Sequence, residues 1–408
     1  MGGTVVGIDV GTTKICTLVG EVDNDDHLRI VGAGVVPSRG LRKGVIVNVE
    51  EAAAAISASI EKAERMSGYK IESAYVGVAG SHISSLNTRG VIAIGRGDRP
   101  ITQEDIDRAM EATQAVAVPH NRQIIHAIPR SFSVDEQEGV RDPTGLIGFR
   151  LEVEAHIVTG AVTSLRNLTN CVQATGVGIT ALVLQPLASA EAVLRADERE
   201  MGVVLVDAGG GTVDVAIFIE GSIWHSLVLP VGGNHITNDI AIGLRIPFDL
   251  AEELKCRHGH AVPEAVNPED VVEVRSFGQG GERAVSRQEL STIIEARAEE
   301  IFEMVLREIK RSGYDGLLPA GVVLTGGTAE LPGLAEVGQR VLGLPVRVGA
   351  PADIEGLVES VRGPAYATSV GMLLWGLHHD EPERGRDRRP GGDRYRRFMG
   401  WLREFLPH

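Results

Sequence analysis

The sequence predicts an α/β protein of two lobes, with a small α+β domain inserted in the first lobe and an amphipathic helix at the chain end. A strand–loop–strand motif occurs once in each half: GIDVGTTK at residues 7–14 and VDAGGGTVD at residues 206–214. Short β-branched strands alternate throughout with Ala-rich helical patterns, and 50 of the 408 residues are glycine. That alternation is the mark of sheets covered by helices. A third glycine loop, TGGTAELPG at 325–333, follows the apolar run 321–324 and leads into a helical pattern from Leu334.

Each of the first two loops follows an apolar strand, puts an Asp at the strand end, then glycines and hydroxyl residues, then a second apolar strand. Glycines allow backbone N–H groups to turn toward one point, which is how a loop cradles phosphate oxygens. A neighbouring Asp suits a magnesium ion that keeps its waters. Two such hairpins face to face would grip the phosphates of a nucleotide from both sides. Taken singly, either loop is equally an ordinary Asp-Gly turn. The third loop has neither the GxxxxGK[ST] pattern nor GxGxxG, which excludes a P-loop and a Rossmann fingerprint.

Along the chain, residues 1–83 read as strands around an Ala-rich helix at 49–66, returning to a strand at 73–79. The rhythm breaks after Gly80. A helix is expected behind a capping box at Thr102 and Asp105, with apolar spacing at Ile106, Ala109 and Met110. Strand-like pieces follow at 123–128, 131–135 and 151–158, so 84–162 reads as the inserted domain. A helix at 165–175 and a strand at 179–184 resume the first lobe through residue 195. The second lobe is expected over 196–360, with 228–315 as its outer part, before the chain returns to the first lobe at 361–377. Within it, helices are expected at about 233–244, 248–258 and 286–312. The last has a capping box at Ser286 and Glu289, an apolar stripe through Leu290, Ile294, Ile301, Phe302, Val305 and Ile309, and Gly313 to end it.

The chain is long enough for several domains with substantial cores. Three scattered cysteines cannot make a disulfide framework, no apolar run reaches the ~18 residues that span a bilayer, and Met1-Gly2-Gly3 leads straight into a strand with no room for a signal peptide. A reducing cytoplasm is the expected setting. The net charge of −15 argues against nucleic acid as a partner. From Arg388 onward, however, six arginines face Asp393 and Glu404, so a tail of +4 follows a body of −19.

Residues 378–393 are rich in Arg, Asp, Pro and Gly, read as a flexible linker. On a helix over 394–408, Tyr395, Phe398, Met399, Leu402, Phe405 and Leu406 fall on one face, with Trp401 near its edge. Arg396 and Arg397 lie on or beside the opposite face. Such a helix could dock on a partner's groove or on the body. The linker argues against the body, and Arg mixed with aromatics suits an anionic lipid surface. One such helix is a weak, reversible anchor, and linking copies raises avidity by ~10²–10⁴.

The three loops, in this order, resemble the actin-like ATPase superfamily, whose first two loops hold phosphates and whose third holds adenosine. With the insert and the tail added, the chain resembles the FtsA family of actin-like bacterial cell-division proteins over nearly its whole length. Beyond the loops, the stretches that carry the likeness are DPTGLIGFRLEVEAHIVTG at 142–160, LPVGGNHITNDIA at 229–241, AEELKCRHGHA at 251–261 and SVGMLLWG at 369–376. The resemblance implies an actin-like (ribonuclease H-like) two-lobed ATPase fold. It also implies ATP and Mg as cofactors, and filaments on the cytoplasmic face of the membrane at the division site. The implied partners are the short C-terminal peptide of the tubulin-like FtsZ, and later division proteins through the inserted domain.

Residue by residue, the resemblance implies that Asp9 and Asp207 face magnesium through water. Gly11, Thr12, Thr13 and Lys14 would hold phosphates, opposed by Gly209, Gly210, Gly211 and Thr212. Gly232, Gly233 and Asn234 would supply backbone near the phosphates or ribose. Glu252 and Lys255 would touch ribose or adenine, and Gly326, Gly327 and Thr328 would line the adenosine slot. Gln185 matches the position that orients an attacking water, a positional role that phosphoryl transfer requires; alternatively it packs at the lobe boundary. An amide there implies slow or conditional turnover. Cys256, His258 and His260 are close in sequence but lack a fourth zinc ligand. Two other readings share the superfamily: a PilM-type pilus-assembly adaptor, and a small-molecule kinase, which would leave the tail without a use.

Overall fold

A computed structural model describes residues 3–23, 27–95, 99–115, 118–275, 282–352, 354–356 and 361–379. The expected amphipathic helix at 394–408, and the linker beyond residue 379, lie outside the described residues.

The two lobes repeat one sheet plan. In the first, Thr4–Val10, Lys14–Val22 and Leu28–Pro37 form an antiparallel meander, and Ser73–Val78 and Gly178–Leu184 continue the sheet in parallel from Thr4–Val10. In the second, Val203–Ala208, Val213–Ile219 and Ser222–Leu229 form the meander, and Val322–Thr325 and Val346–Val348 continue it in parallel. The central strands read as unbroken apolar runs because both faces are covered: every residue of Val203–Ala208 and of Val213–Ile219 is buried.

Helix Val49–Ser67 starts at Asn48, whose side chain accepts from the Glu51 N–H, and stops at Gly68 in the left-handed region. It packs Ala52, Ala55, Ile56, Ile60 and Ala63 on the first sheet. The long helix Arg287–Ser312 begins with Ser286 accepting from the Gln288 N–H and ends at Gly313, also left-handed. Its buried stripe runs from Leu290 to Ile309 over the second lobe's core.

The segment between the lobe's strands folds as a four-stranded antiparallel sheet, ordered Ile83–Ala93, Arg150–Ala161, Arg122–Val134 and Gln137–Val140. One helix, Gln103–Gln114, lies on it through Ile106, Ala109 and Met110. Ile83–Ala93 is a full strand where the sequence showed only a broken rhythm. The two strand pieces at 123–128 and 131–135 are one strand, with Pro129 placed at a register shift against Glu154 and Ala155, where a missing N–H is tolerated. At the Thr102 cap, the Asp105 carboxylate accepts from both the Thr102 N–H and its hydroxyl.

Two helices, Gln185–Val193 and Ala367–His379, cross between the lobes, so His378 and His379 belong to a helix rather than to the linker. They touch at Gly371, where a Cβ would stand 1.7 Å from the Ala188 carbonyl oxygen. One continuous apolar core runs through this crossing, joining Val5 and Leu18 of the first sheet, Ile128 and Phe132 of the insert, and Leu205 and Phe218 of the second sheet.

Candidate functional site

The two hairpins make the same turn. Gly11 N–H donates to the Lys14 carbonyl at 3.1 Å, and Gly209 N–H to the Thr212 carbonyl at 2.9 Å. Each Asp sits two residues ahead of its turn, Asp9 paired across the strands with Cys16 and Asp207 with Asp214. The turns face each other closely. A Cβ on Gly210 would stand 2.0 Å from Thr13 Oγ1, and one on Gly211 2.6 Å from Thr12 Oγ1. Only glycine permits that approach.

The second-lobe loop is roofed by the other predicted residues. Gly233 N–H donates to the Gly209 carbonyl and Asn234 N–H to that of Gly210, while Thr328 Oγ1 donates to the Gly209 carbonyl at 2.9 Å. A Cβ on Gly232 would meet the Gly209 carbonyl oxygen at 2.5 Å. Gly326, at φ +87°, brings the third loop so near that its Cβ would stand 2.4 Å from Asp207 Oδ1. Gly327 follows it into a short 3-10 turn. From helix Phe248–His258, Lys255 Nζ reaches the Gly233 carbonyl at 3.3 Å, Thr237 Oγ1 at 2.8 Å and Glu252 Oε2 at 2.7 Å. Lys14 Nζ stands 3.4 Å from the centre of the Tyr366 ring. Asp9, Thr12, Thr13, Lys14, Gln185, Asp207, Gly209–Thr212, Gly232–Asn234, Glu252, Lys255 and Gly326–Thr328 thus gather where the two lobes meet.

The carboxylates are held by the crossing helices. Asp9 accepts from Gln185 Nε2 on Oδ1 and from Ser369 Oγ on Oδ2, both at 3.0 Å. Asp207 Oδ2 accepts from Ser189 Oγ at 2.6 Å and Thr368 Oγ1 at 3.0 Å. Each helix therefore binds both acids, one from each lobe. A third acid, Asp214, is buried with one oxygen bonded to Thr212 Oγ1 at 3.0 Å and the other without a partner among the described residues. Burial pushes Asp9 up to about 6, partly offset by Lys14 and Ser369 and reinforced by Asp207. Burial raises Asp207 as well, and burial with the Asp207 charge raises Asp214 well above its ordinary value. Lys14 is lowered by burial, against the pull of Asp9. Burial, with repulsion from Asp207 at Asp9 and Asp214, thus holds all three acids above their ordinary values.

The sequence reading singled out neither Asp214 nor the hydroxyls Ser189, Thr368 and Ser369. Asp214 closes the VDAGGGTVD motif itself, so the signal was present. The hydroxyls carry no local signature, because only the crossing of two distant helices brings them to the carboxylates. Cys256, His258 and His260 form no metal cluster: among the described residues no group of three or more His, Cys, Asp and Glu is placed to hold an ion. Cys256 Sγ instead lies 3.5 Å from Glu252 Oε1, and His260 Nδ1 accepts from the Val262 N–H.

Comparison with known proteins decides the family. Residues 204–371 match the family described as cell division protein FtsA, and residues 80–159 match the SHS2 domain inserted in FtsA. The cell division protein FtsA of Pseudomonas aeruginosa is 46% identical over 92% of this chain and 90% of its own length. The chain belongs to the FtsA family. FtsA of Neisseria meningitidis is 41% identical over 97% of both chains, and FtsA of Escherichia coli K12 37% identical over 98% of this chain and 97% of its own.

FtsA-family membership makes this a cell-division protein, and its fold is actin-like. The structure of a PilM–PilN type IV pilus biogenesis complex matches with a TM-score of 0.67 at 15% identity, covering 91% of this chain and 98% of that one. MreB5 of Spiroplasma citri bound to ADP matches with a TM-score of 0.54 at 15% identity, covering 91% and 95%. At such identities the likeness is one of fold, so the PilM match does not favour a pilus adaptor.

Proposed function

We propose that this FtsA-family protein binds Mg-ATP between its lobes, assembles into filaments on the cytoplasmic membrane, tethers the FtsZ ring there and recruits later division proteins through the inserted domain. One observation carries the nucleotide reading: two glycine hairpins from different lobes oppose each other, each backed by a buried carboxylate fixed by the same two helices.

The residues fit the absent groups. Glycine cradles that a Cβ would fill suit phosphates, and the orphaned oxygen of Asp214 with the Asp9 and Asp207 carboxylates suits a divalent cation met through its own waters rather than ligated directly. When bound, the cation would neutralise phosphate charge. Gly11, Thr12, Thr13 and Lys14 would hold phosphates against Gly209–Thr212. Gly232–Asn234, Glu252 and Lys255 would meet the ribose and base, with Gly326–Thr328 lining the adenosine slot. Gln185 spends its Nε2 on Asp9, which turns Oε1 into an acceptor fixed in direction, as orienting a water requires. A neutral amide cannot take a proton from that water, so turnover is slow or conditional.

The division of the chain proposed from sequence accompanies this reading: first lobe at 1–83, 163–195 and 361–377, insert at 84–162, second lobe at 196–360. The membrane role rests on the sequence of 394–408, whose apolar face and arginines suit an anionic surface. The test is co-sedimentation of the full chain, and of a chain ending before Asp393, with anionic vesicles, ATP and FtsZ. The proposal expects FtsZ in the pellet with the full chain alone. A full chain that pellets while leaving FtsZ in solution overturns the tether; a chain that never pellets overturns the membrane anchor.

A further inference from the structure

The inserted domain belongs to the first lobe by connectivity, yet it also grips the second. Its edge strand Ile83–Ala93 runs beside Ser222–Leu229, the edge strand of the second sheet. The two edges do not share a backbone ladder. Ser85 Oγ donates to the Ser226 carbonyl at 2.6 Å and Asn87 Nδ2 to the Trp224 carbonyl at 3.1 Å. His156 is 1% exposed and bonded on both ring nitrogens, to Asn87 Oδ1 at 2.7 Å and Ser226 Oγ at 2.8 Å. Side chains thus blunt both edges while joining them.

Beside these bonds, Arg130 of the insert lies 4.2 Å from the centre of the Trp224 ring and 5.8 Å from that of Tyr314. The two rings meet edge to face at 5.4 Å. The Arg130 side chain is 6% exposed, and its ion pair with Glu154 spans 4.0 Å. Two buried donors at this one junction, Arg130 Nε and Trp224 Nε1, have no hydrogen-bond partner among the described residues. Native structures rarely leave such donors unmade, and two at one seam ask for a reason. A second arrangement of the seam, in which they are used, supplies one.

On its other side the insert is seated on the first lobe and on helix Ala367–His379. Arg122 donates to the His82 carbonyl at 2.9 Å, His126 Nε2 accepts from the Leu184 N–H at 3.0 Å, and the His126 ring meets Trp375 edge to face at 5.6 Å. A domain fixed on one lobe and held to the other by a polar seam must feel any change in the angle between them.

We propose that the inserted domain is a latch: the Arg130–Trp224–Tyr314 and His156–Ser226 seam has two positions, and it shifts between them as the cleft between Thr13 and Gly210 opens and closes. The coupling to the cleft rests on the nucleotide reading above; the two positions of the seam rest on the junction alone.

The test uses the full chain with Trp375→Phe and Trp401→Phe, which leaves Trp224 as the sole tryptophan. Its emission and acrylamide quenching are read without ligand and with Mg-ADP or Mg-AMPPNP, whose binding is followed separately by equilibrium dialysis. The latch expects a shift in emission maximum and quenching on binding, a shift that Arg130→Lys diminishes while nucleotide affinity changes with it, as linkage demands. Bound nucleotide with an unmoved Trp224 signal overturns the latch and leaves a static seam. If dialysis finds no binding, the nucleotide reading fails, and hydrogen exchange of the unliganded chain decides the latch. Exchange at Ser222–Leu229 that Arg130→Lys accelerates while Val213–Ile219 is unchanged upholds a seam that opens, and exchange that the substitution leaves unmoved overturns it.

Discussion

Replacing Asp9 with Asn should stabilise the unliganded protein at neutral pH while impairing its use of magnesium. Asp9 is 6% exposed and its pKa is pushed up to about 6 from an ordinary 3.8. The folded state therefore holds the Asp9 proton more tightly than the unfolded chain. Stability falls as pH rises from about 4 to about 6 and stays low above that. Two pKa units at ~1.4 kcal/mol each put the loss near 3 kcal/mol. An Asn amide keeps both partners, accepting from Gln185 Nε2 and donating to Ser369 Oγ, so the substitution removes the charge without emptying the site. The assay is thermal unfolding from pH 4 to 8 in EDTA. Asp9→Asn should raise Tm at pH 7 by roughly 3–4 °C, the shift about 3 kcal/mol gives a chain of this length, and flatten the decline. A residual slope will remain, because Asp207 and Asp214 are also raised and titrate together with Asp9. An Asn variant that melts lower than the parent at pH 7 in EDTA, or keeps the full slope, would refute the claim that burial of this charge strains the site.

Three further outcomes are expected. Gly371→Ala drives a methyl into the Ala188 carbonyl at the helix crossing and should cost ~3 kcal/mol or more, seen as a lower Tm together with weaker Mg-ATP binding, since the same helix holds Ser369 and Thr368 on the two acids. Gln185→Ala should slow ATP turnover roughly 10²-fold while leaving Mg-ATP affinity within a few-fold, measured by single-turnover hydrolysis beside equilibrium dialysis. Asn48→Ala removes the cap of helix Val49–Ser67 and should cost about 1 kcal/mol, read as faster hydrogen exchange in the helix's first turn with nucleotide binding unchanged.

The parts legible in the sequence are those set by local chemistry. The phosphate-type hairpins declared themselves because an Asp, a glycine turn and a hydroxyl follow one another within a few residues. The long helix Arg287–Ser312 was legible from its apolar stripe and from Ser286 and Gly313 at its ends. Ile83–Ala93 was missed because its burial does not alternate cleanly; several of its residues are exposed, and it is completed by pairing with Arg150–Ala161 far along the chain. Pro129 split one strand into two on paper, since a proline normally ends a ladder, yet here it occupies the register shift. The hydroxyl clamp of Ser189, Thr368 and Ser369 arises from residues more than 170 positions apart and from a crossing that only Gly371 permits. No local pattern encodes it.

The central claim is that both lobes together make one magnesium-dependent nucleotide site. Titration calorimetry of ATP, with and without Mg²⁺, on the parent chain and on Gly210→Val, tests it most directly. The account predicts saturable binding that needs Mg²⁺ and is lost in Gly210→Val, whose Cβ would meet Thr13 Oγ1 at 2.0 Å, with the variant lowered in Tm but still unfolding cooperatively in EDTA. Binding of equal strength in the folded variant would contradict it, because the nucleotide would then lie somewhere other than between the two hairpins.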